Sequence, residues 1–123
     1  MSIRLVAVDV DGTLLTADQK VLPRVQEAAA RAAAHGVELV LCTGRSAGEC
    51  REIFAALPQI RYAVLYTGAM AQDLQTGEVL YSCPLTADDA RLIYNHLRRY
   101  DGLVNFFMGG EVYNDRRAMD HFE

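Results

Sequence analysis

Two aspartates, Asp9 and Asp11, flank Val10 where an apolar run from Ile3 ends, and Gly12 and Thr13 follow at once. Carboxylates this close repel each other and resist desolvation, which the end of a buried strand tolerates around a cation. The pattern suits one carboxylate as nucleophile and its neighbour as acid/base, with a magnesium ion shared between them. An in-line attack on a phosphoryl group needs those parts and donors for the equatorial oxygens. Asp9 would attack, Asp11 would move the proton of the leaving alcohol, and the Val10 carbonyl would join Asp9 on the metal. Gly12 and Thr13 would keep the turn tight and offer backbone amides to the phosphate. A solvated Asp-Gly turn after a strand accounts for the same residues, so the pair alone does not decide.

Thr43-Gly44-Arg45-Ser46 is the second such constellation. A hydroxyl, a glycine amide and a helix N-terminus make a ready anion site. The structural alternative is a Thr-Gly turn leading into a capped helix.

The elements that must position these residues alternate. Ile3 to Val10 is short, apolar and rich in β-branched residues, which predicts a strand buried on both faces. Pro23 opens a helix with a small-residue stripe of Val25, Ala28, Ala29, Ala32 and Ala33, and Gly36 stops it. Val37 to Cys42 is the second strand, and the capping-box spacing of Ser46 and Glu49 predicts a helix from there to Pro58. Tyr62 to Tyr66 is the third strand. This order predicts right-handed crossovers and a Rossmann-like parallel sheet, whose ligands bind beyond the carboxyl ends of the strands. Asp9, Thr43 and Thr67 all fall at that edge, which favours phosphate chemistry over two unrelated turns. After Gly68 come a hairpin around Leu74-Gln75-Thr76-Gly77, a helix capped by Thr86, and two short strands around Gly109-Gly110. The aromatic residues Tyr94, Tyr100, Phe106, Phe107 and Tyr113 are expected to fill the core of this last part.

Composition bounds the function. The 123 residues suffice for a real core, and 51% of them are hydrophobic, which excludes general disorder. A net charge of -4 leaves no basic stripe for nucleic acid. No apolar stretch approaches the ~20 residues of a membrane span, and the first residues carry no signal-peptide pattern, so a cytoplasmic protein is expected. Cys42, Cys50 and Cys83 have no zinc spacing and read as reduced thiols, while His35, His96 and His121 share no metal spacing. Asp115 and Asp120 read as surface residues, and the pairs Arg98-Arg99 and Arg116-Arg117 as solvated.

These motifs resemble the haloacid dehalogenase-like superfamily of phosphohydrolases, and within it the Cof-like sugar-phosphate phosphatases with an α/β cap. Asp9-Val10-Asp11-Gly12-Thr13-Leu14-Leu15 matches the first motif of that family, and Thr43-Gly44-Arg45 its second. The resemblance implies Asp9 as nucleophile, Asp11 as general acid/base, Thr43 and Gly44 as phosphate binders, Arg45 at the entrance, and Mg2+ as cofactor. It also implies Thr67-Gly68 on the substrate side, where members usually carry Asn-Gly-Ala and this chain has Thr67-Gly68-Ala69. The family's later lysine and acidic Gly-Asp motif have no counterpart here, and Lys20 stands in the wrong segment to replace that lysine. The expected organisation is therefore an incomplete core over residues 1-84 and the beginning of a cap over 85-123. The expected function is a magnesium-dependent phosphohydrolase for small phosphorylated metabolites, working through an aspartyl phosphate and weak or inactive as this chain. The alternative is a non-catalytic binding or self-assembling module with a vestigial phosphate site. In that fold the first strand is central, so here its free edge is expected to drive homo-oligomers.

Overall fold

The structure, a computed structural model, describes residues 2–115. It divides into two compact units, Met1–Ser82 and Cys83–Glu123.

The first unit is a five-stranded sheet whose strands lie in chain order: β1 (Leu5–Asp9), β2 (Glu38–Cys42), β3 (Tyr62–Leu65), β4 (Met70–Asp73) and β5 (Val79–Ser82). β1, β2 and β3 run parallel, with Asp9 opposite Cys42 and Cys42 opposite Val64. β4 and β5 are antiparallel, so the sheet is mixed. Helix α1 (Pro23–Ala34) links β1 to β2, and α2 (Arg51–Ala56) links β2 to β3. Pro23 begins α1 because its missing N–H falls where the first turn has no acceptor to satisfy. Gly36, at φ 74°, ends the helix with its N–H on the Ala33 carbonyl, and Val37 N–H reaches back to Ala32. Of the expected stripe, Val25, Ala29 and Ala32 pack on the core, whereas Ala28 is exposed.

Burial alternates along β2 and β3, with Leu39, Leu41, Ala63 and Leu65 facing Ile53 and Leu57 of the α2 segment and Val10, Leu14 and Leu15. The inward set follows from the period of two along a strand. The expectation of a doubly buried first strand is corrected here. β1 is an edge strand among the described residues, and Leu5 and Val6 are 55% and 38% exposed. Its apolar composition records no cover that these residues supply.

The second unit, taken by itself, holds α3 (Ala87–Leu97) and the antiparallel pair β6 (Asn105–Met108) and β7 (Glu111–Asn114). Thr86 caps α3 by accepting from Asp89 N–H at 3.1 Å. Tyr94 meets Phe106 with ring centroids 5.5 Å apart and donates its hydroxyl to Asp115 at 2.9 Å. Tyr100, Phe107 and Tyr113 are exposed, so only Tyr94 and Phe106 of the expected aromatic core are partly buried. Asp115 is half-buried, which corrects its reading as a plain surface residue. Asp120, His121 and Arg116-Arg117 lie outside the described residues.

Candidate active site

The first motif leaves β1 in a single wide turn closed by Leu15 N–H on the Val10 carbonyl at 3.1 Å. Gly12 sits inside it at φ 76°, a conformation that costs a side chain bearing a Cβ. The turn drives Val10 and Leu14 into the core and leaves Asp9, Asp11 and Thr13 exposed. Thr13 Oγ1 donates back to Asp9 Oδ2 at 3.2 Å, which orients the carboxylate at the strand end.

The second motif leaves β2 beside it. Thr43 is buried, and its Oγ1 accepts from Arg45 N–H at 3.2 Å. That bond uses an acceptor lone pair of the hydroxyl, whose O–H is the group a phosphate oxygen needs. The Arg45 side chain then crosses to the first motif. Its Nε donates to Asp11 Oδ2 at 2.9 Å, and its Nη2 donates both to Asp11 Oδ1 and to Gln19 Oε1. The guanidinium beside Asp11 holds that carboxyl below the ordinary carboxylate range.

The third strand end closes the group. Tyr66 and Thr67 both have left-handed backbones, at φ 51° and 55°, and their N–H groups donate to the Arg45 and Thr43 carbonyls at 3.1 Å. Thr67 Oγ1 lies 3.2 Å from where a Cβ on Gly44 would stand. Gly68 follows at φ 98° and is exposed. Backbone bonds thus tie Thr67 to Thr43 and Tyr66 to Arg45, Gly44 lies against Thr67, and Asp11 joins the group through Arg45.

Two expectations are corrected. The anion site at the start of a helix fails, because α2 begins only at Arg51 and runs six residues. Ser46 and Glu49 do make their reciprocal bonds, with Ser46 N–H on Glu49 Oε2 at 2.7 Å and Glu49 N–H on Ser46 Oγ at 3.3 Å. These close a tight turn in which Cys50 N–H reaches Ala47 and Arg51 N–H reaches Gly48, one residue short of helical spacing. The Val10 carbonyl is also withdrawn as a metal donor, since Val10 is 0% exposed and that oxygen already accepts from Leu15.

Magnesium takes hard oxygen donors, commonly one or two carboxylates completed by water and phosphate. Asp9 fits that chemistry as an exposed carboxylate, while Asp11 is taken by Arg45. Among the described residues no three His, Cys, Asp or Glu side chains converge to hold a metal ion. The fit is therefore to Asp9 alone.

Gln19 is a site residue that sequence reading missed. It lies in the polar run Thr16 to Lys20, whose apolar flanks Leu15 and Val21 pair as an antiparallel bridge. That flanking pattern signals a hairpin, and nothing in it says that the tip returns to Arg45.

No helix of the described residues is long and apolar enough to cross a membrane. The sequence profile of the haloacid dehalogenase-like hydrolases matches residues 6–122. YxeH of Bacillus subtilis is 34% identical over 122 residues, covering 97% of this chain and 45% of YxeH. The pyridoxal phosphate phosphatase YbhA of Escherichia coli is 35% identical over 85 residues, covering 69% of this chain and 31% of that enzyme. A haloacid dehalogenase-like hydrolase from B. subtilis superimposes with a TM-score of 0.84 at 26% identity, over 97% of this chain and 41% of that one. The chain thus spans less than half the length of these relatives. With the profile match running through both motifs, this chain belongs to the haloacid dehalogenase-like hydrolase family.

Proposed function

We propose that this chain carries the nucleophile-bearing part of a phosphohydrolase for small phosphorylated metabolites, with sugar-phosphate-like compounds as the leading class. The observation that carries the reading is the bond from Arg45 to Asp11, which ties together two motifs 34 positions apart at one sheet edge. The relative YbhA, named for pyridoxal phosphate, supports a small phosphorylated substrate. Residues 85–123 are, in this reading, the beginning of a cap, and the protein works in the cytoplasm.

In the proposed reaction an Asp9 oxygen bonds to phosphorus as the bond to the leaving alcohol oxygen breaks, and Asp11 supplies that oxygen with its proton. Water then attacks the aspartyl phosphate, Asp11 takes the water's proton, and phosphate leaves with Asp9 restored. Bound magnesium would offset the phosphate charge, with Asp9 among its ligands. Asp11 is an ionised acceptor while Arg45 holds it, so Arg45 has to leave before Asp11 can act as an acid. An incoming phosphate first takes the Arg45 Nη1 donors that Asp11 and Gln19 leave open, and the guanidinium moves off Asp11 only afterwards. Turnover by this chain is slow or absent, because losing cooperating groups can cost many orders of magnitude.

A single phosphoryl transfer needs no turnover, so it is the test. The chain is incubated with p-nitrophenyl phosphate and magnesium, and peptide mass spectrometry locates any added phosphate. Phosphate on the peptide carrying Asp9, lost in Asp9→Asn, is expected; an unlabelled Asp9 peptide sinks the reading.

One observation favours the second reading, a non-catalytic self-assembling module: the outer edge of β1 is apolar and exposed. Such an edge is a template for pairing with a second copy. Light scattering on the chain and on Val6→Lys decides it, since a lysine there should dissolve the assembly.

A further inference from the structure

We infer that Gln19 is a positioning residue of this site: the tip of the Leu15–Val21 hairpin holds the Arg45 guanidinium against Asp11. The inference rests on the proposed phosphate chemistry for its purpose, but its geometry stands independently of that chemistry.

The hairpin is built so that one side chain can reach back. Gln19 N–H donates to the Thr16 carbonyl at 2.9 Å, and Thr16 N–H donates to the Lys20 carbonyl at 3.0 Å. Thr16 Oγ1 accepts from Lys20 N–H at 3.1 Å and donates to Asp18 Oδ1 at 2.6 Å. This is a turn followed by one residue in the left-handed region, a place that favours glycine. Gln19 occupies it at φ 60°. A residue with a Cβ is disfavoured there. What glycine cannot supply at that position is the carboxamide oxygen, and Gln19 Oε1 accepts from Arg45 Nη2.

The geometry of the guanidinium gives the contact its meaning. Nε and Nη2 face Asp11 in the two-pronged arrangement that fixes an arginine plane. The Arg45 side chain is 25% exposed and that of Asp11 is 53% exposed, so solvent competes strongly for the pair. A third acceptor from another loop removes some of that freedom. Nη1 is left with two further N–H donors for an anion, on a plane already held. Gln19 therefore acts through Arg45 and touches no reacting atom.

The test uses the 123-residue chain and the Arg45 Nε–Hε signal in a proton–nitrogen NMR spectrum. In Gln19→Gly the backbone is relieved, so thermal stability should hold or rise, while Hε exchange with water should quicken about fivefold or more. Gln19→Met keeps the length without an acceptor and should behave like glycine in exchange. Gln19→Glu keeps an oxygen in the same place and should restore protection. Titration with inorganic phosphate should show about threefold weaker binding in Gln19→Gly and Gln19→Met. An unchanged Hε exchange rate in both Gln19→Gly and Gln19→Met overturns the inference, as does phosphate binding that tightens in both. If the wild-type chain binds no phosphate at all, the proposed function loses its support while the Arg45 signal still judges Gln19.

Discussion

Thr67 Oγ1 stands 3.2 Å from the point where a side chain on Gly44 would begin, so the second and third strand ends touch at a glycine. Thr67 has little room to yield. Its χ1 is stiff because it is β-branched, and its N–H is tied to the Thr43 carbonyl at 3.1 Å. Gly44→Ala should therefore destabilise the first unit by about 0.5–1 kcal/mol through overpacking. Thr67→Ala removes the opposing atom, so the penalty should shrink by about half in the double variant. Urea unfolding of the four proteins checks it, and strict additivity would refute the contact.

The same threonine carries a second prediction. Thr67 holds a left-handed backbone at φ 55°, which a β-branched residue adopts only under strain. Asparagine visits that region far more readily, because its side chain can bond locally. Thr67→Asn should raise stability by about 0.5–1 kcal/mol, seen as a higher urea midpoint with an unchanged slope. The Asn-Gly-Ala usual in the family at this place then has a backbone reason as well as a chemical one.

Much of the site was legible because its signals are local. Asp9, Asp11 and Gly12 encode a charged turn within four residues, and Thr43 and Thr67 fall at strand ends that an apolar run predicts. What stayed hidden depends on neighbours distant in the chain. A capping box looks alike before a helix and before a tight turn, so the late start of α2 at Arg51 could not be read from Ser46 and Glu49. Composition alone buries β1 on both faces because it records what a strand can bury and not what lies beside it, whereas the free edge follows only from the family resemblance. The return of Gln19 to Arg45 depends on a left-handed residue, and glutamine is a poor signal for one.

Asp73 sets a pH dependence. It is 3% exposed at the end of β4, and its Oδ2 accepts from Arg61 Nε at 2.9 Å and Nη2 at 2.8 Å. Its Oδ1 accepts from Gln75 N–H at 2.9 Å and Thr76 N–H at 3.3 Å, which fixes the turn into β5. The Arg61 bonds, and then those two amides, hold its carboxyl below the ordinary value of 3.8. The unfolded chain therefore binds this proton more readily, and stability rises with pH through the window below that value. The contribution is full near neutrality and fades as pH falls through the folded pKa. Asp73→Asn should lower the thermal midpoint by about 5 °C at pH 7. The gap from the parent should narrow on acidification below pH ~4, since the parent then loses the same charge. A gap that stays constant down to pH ~2.5 would show that the charge of Asp73 contributes nothing.

Cys50 sits at the crossing of the site and the core. It is 0% exposed just before α2, and burial pushes its thiol up to about 11, with Glu49 and Asp11 adding to the effect and Arg45 opposing it. At pH 8 its thiolate fraction is then roughly 100-fold or more below that of an ordinary cysteine. Cys83 is exposed and Cys42 half-buried. Iodoacetamide should therefore modify Cys83 first, Cys42 more slowly, and Cys50 only through opening of the first unit. Modification of Cys50 should accelerate with urea in step with unfolding, because reaction then follows the population of the open state. Gly44→Ala offers an independent check, since a destabilised first unit should expose Cys50 more often while leaving the rate at Cys83 unchanged. Modification of Cys50 as fast as Cys83 in native buffer would mean that Cys50 is not buried in the core of the first unit.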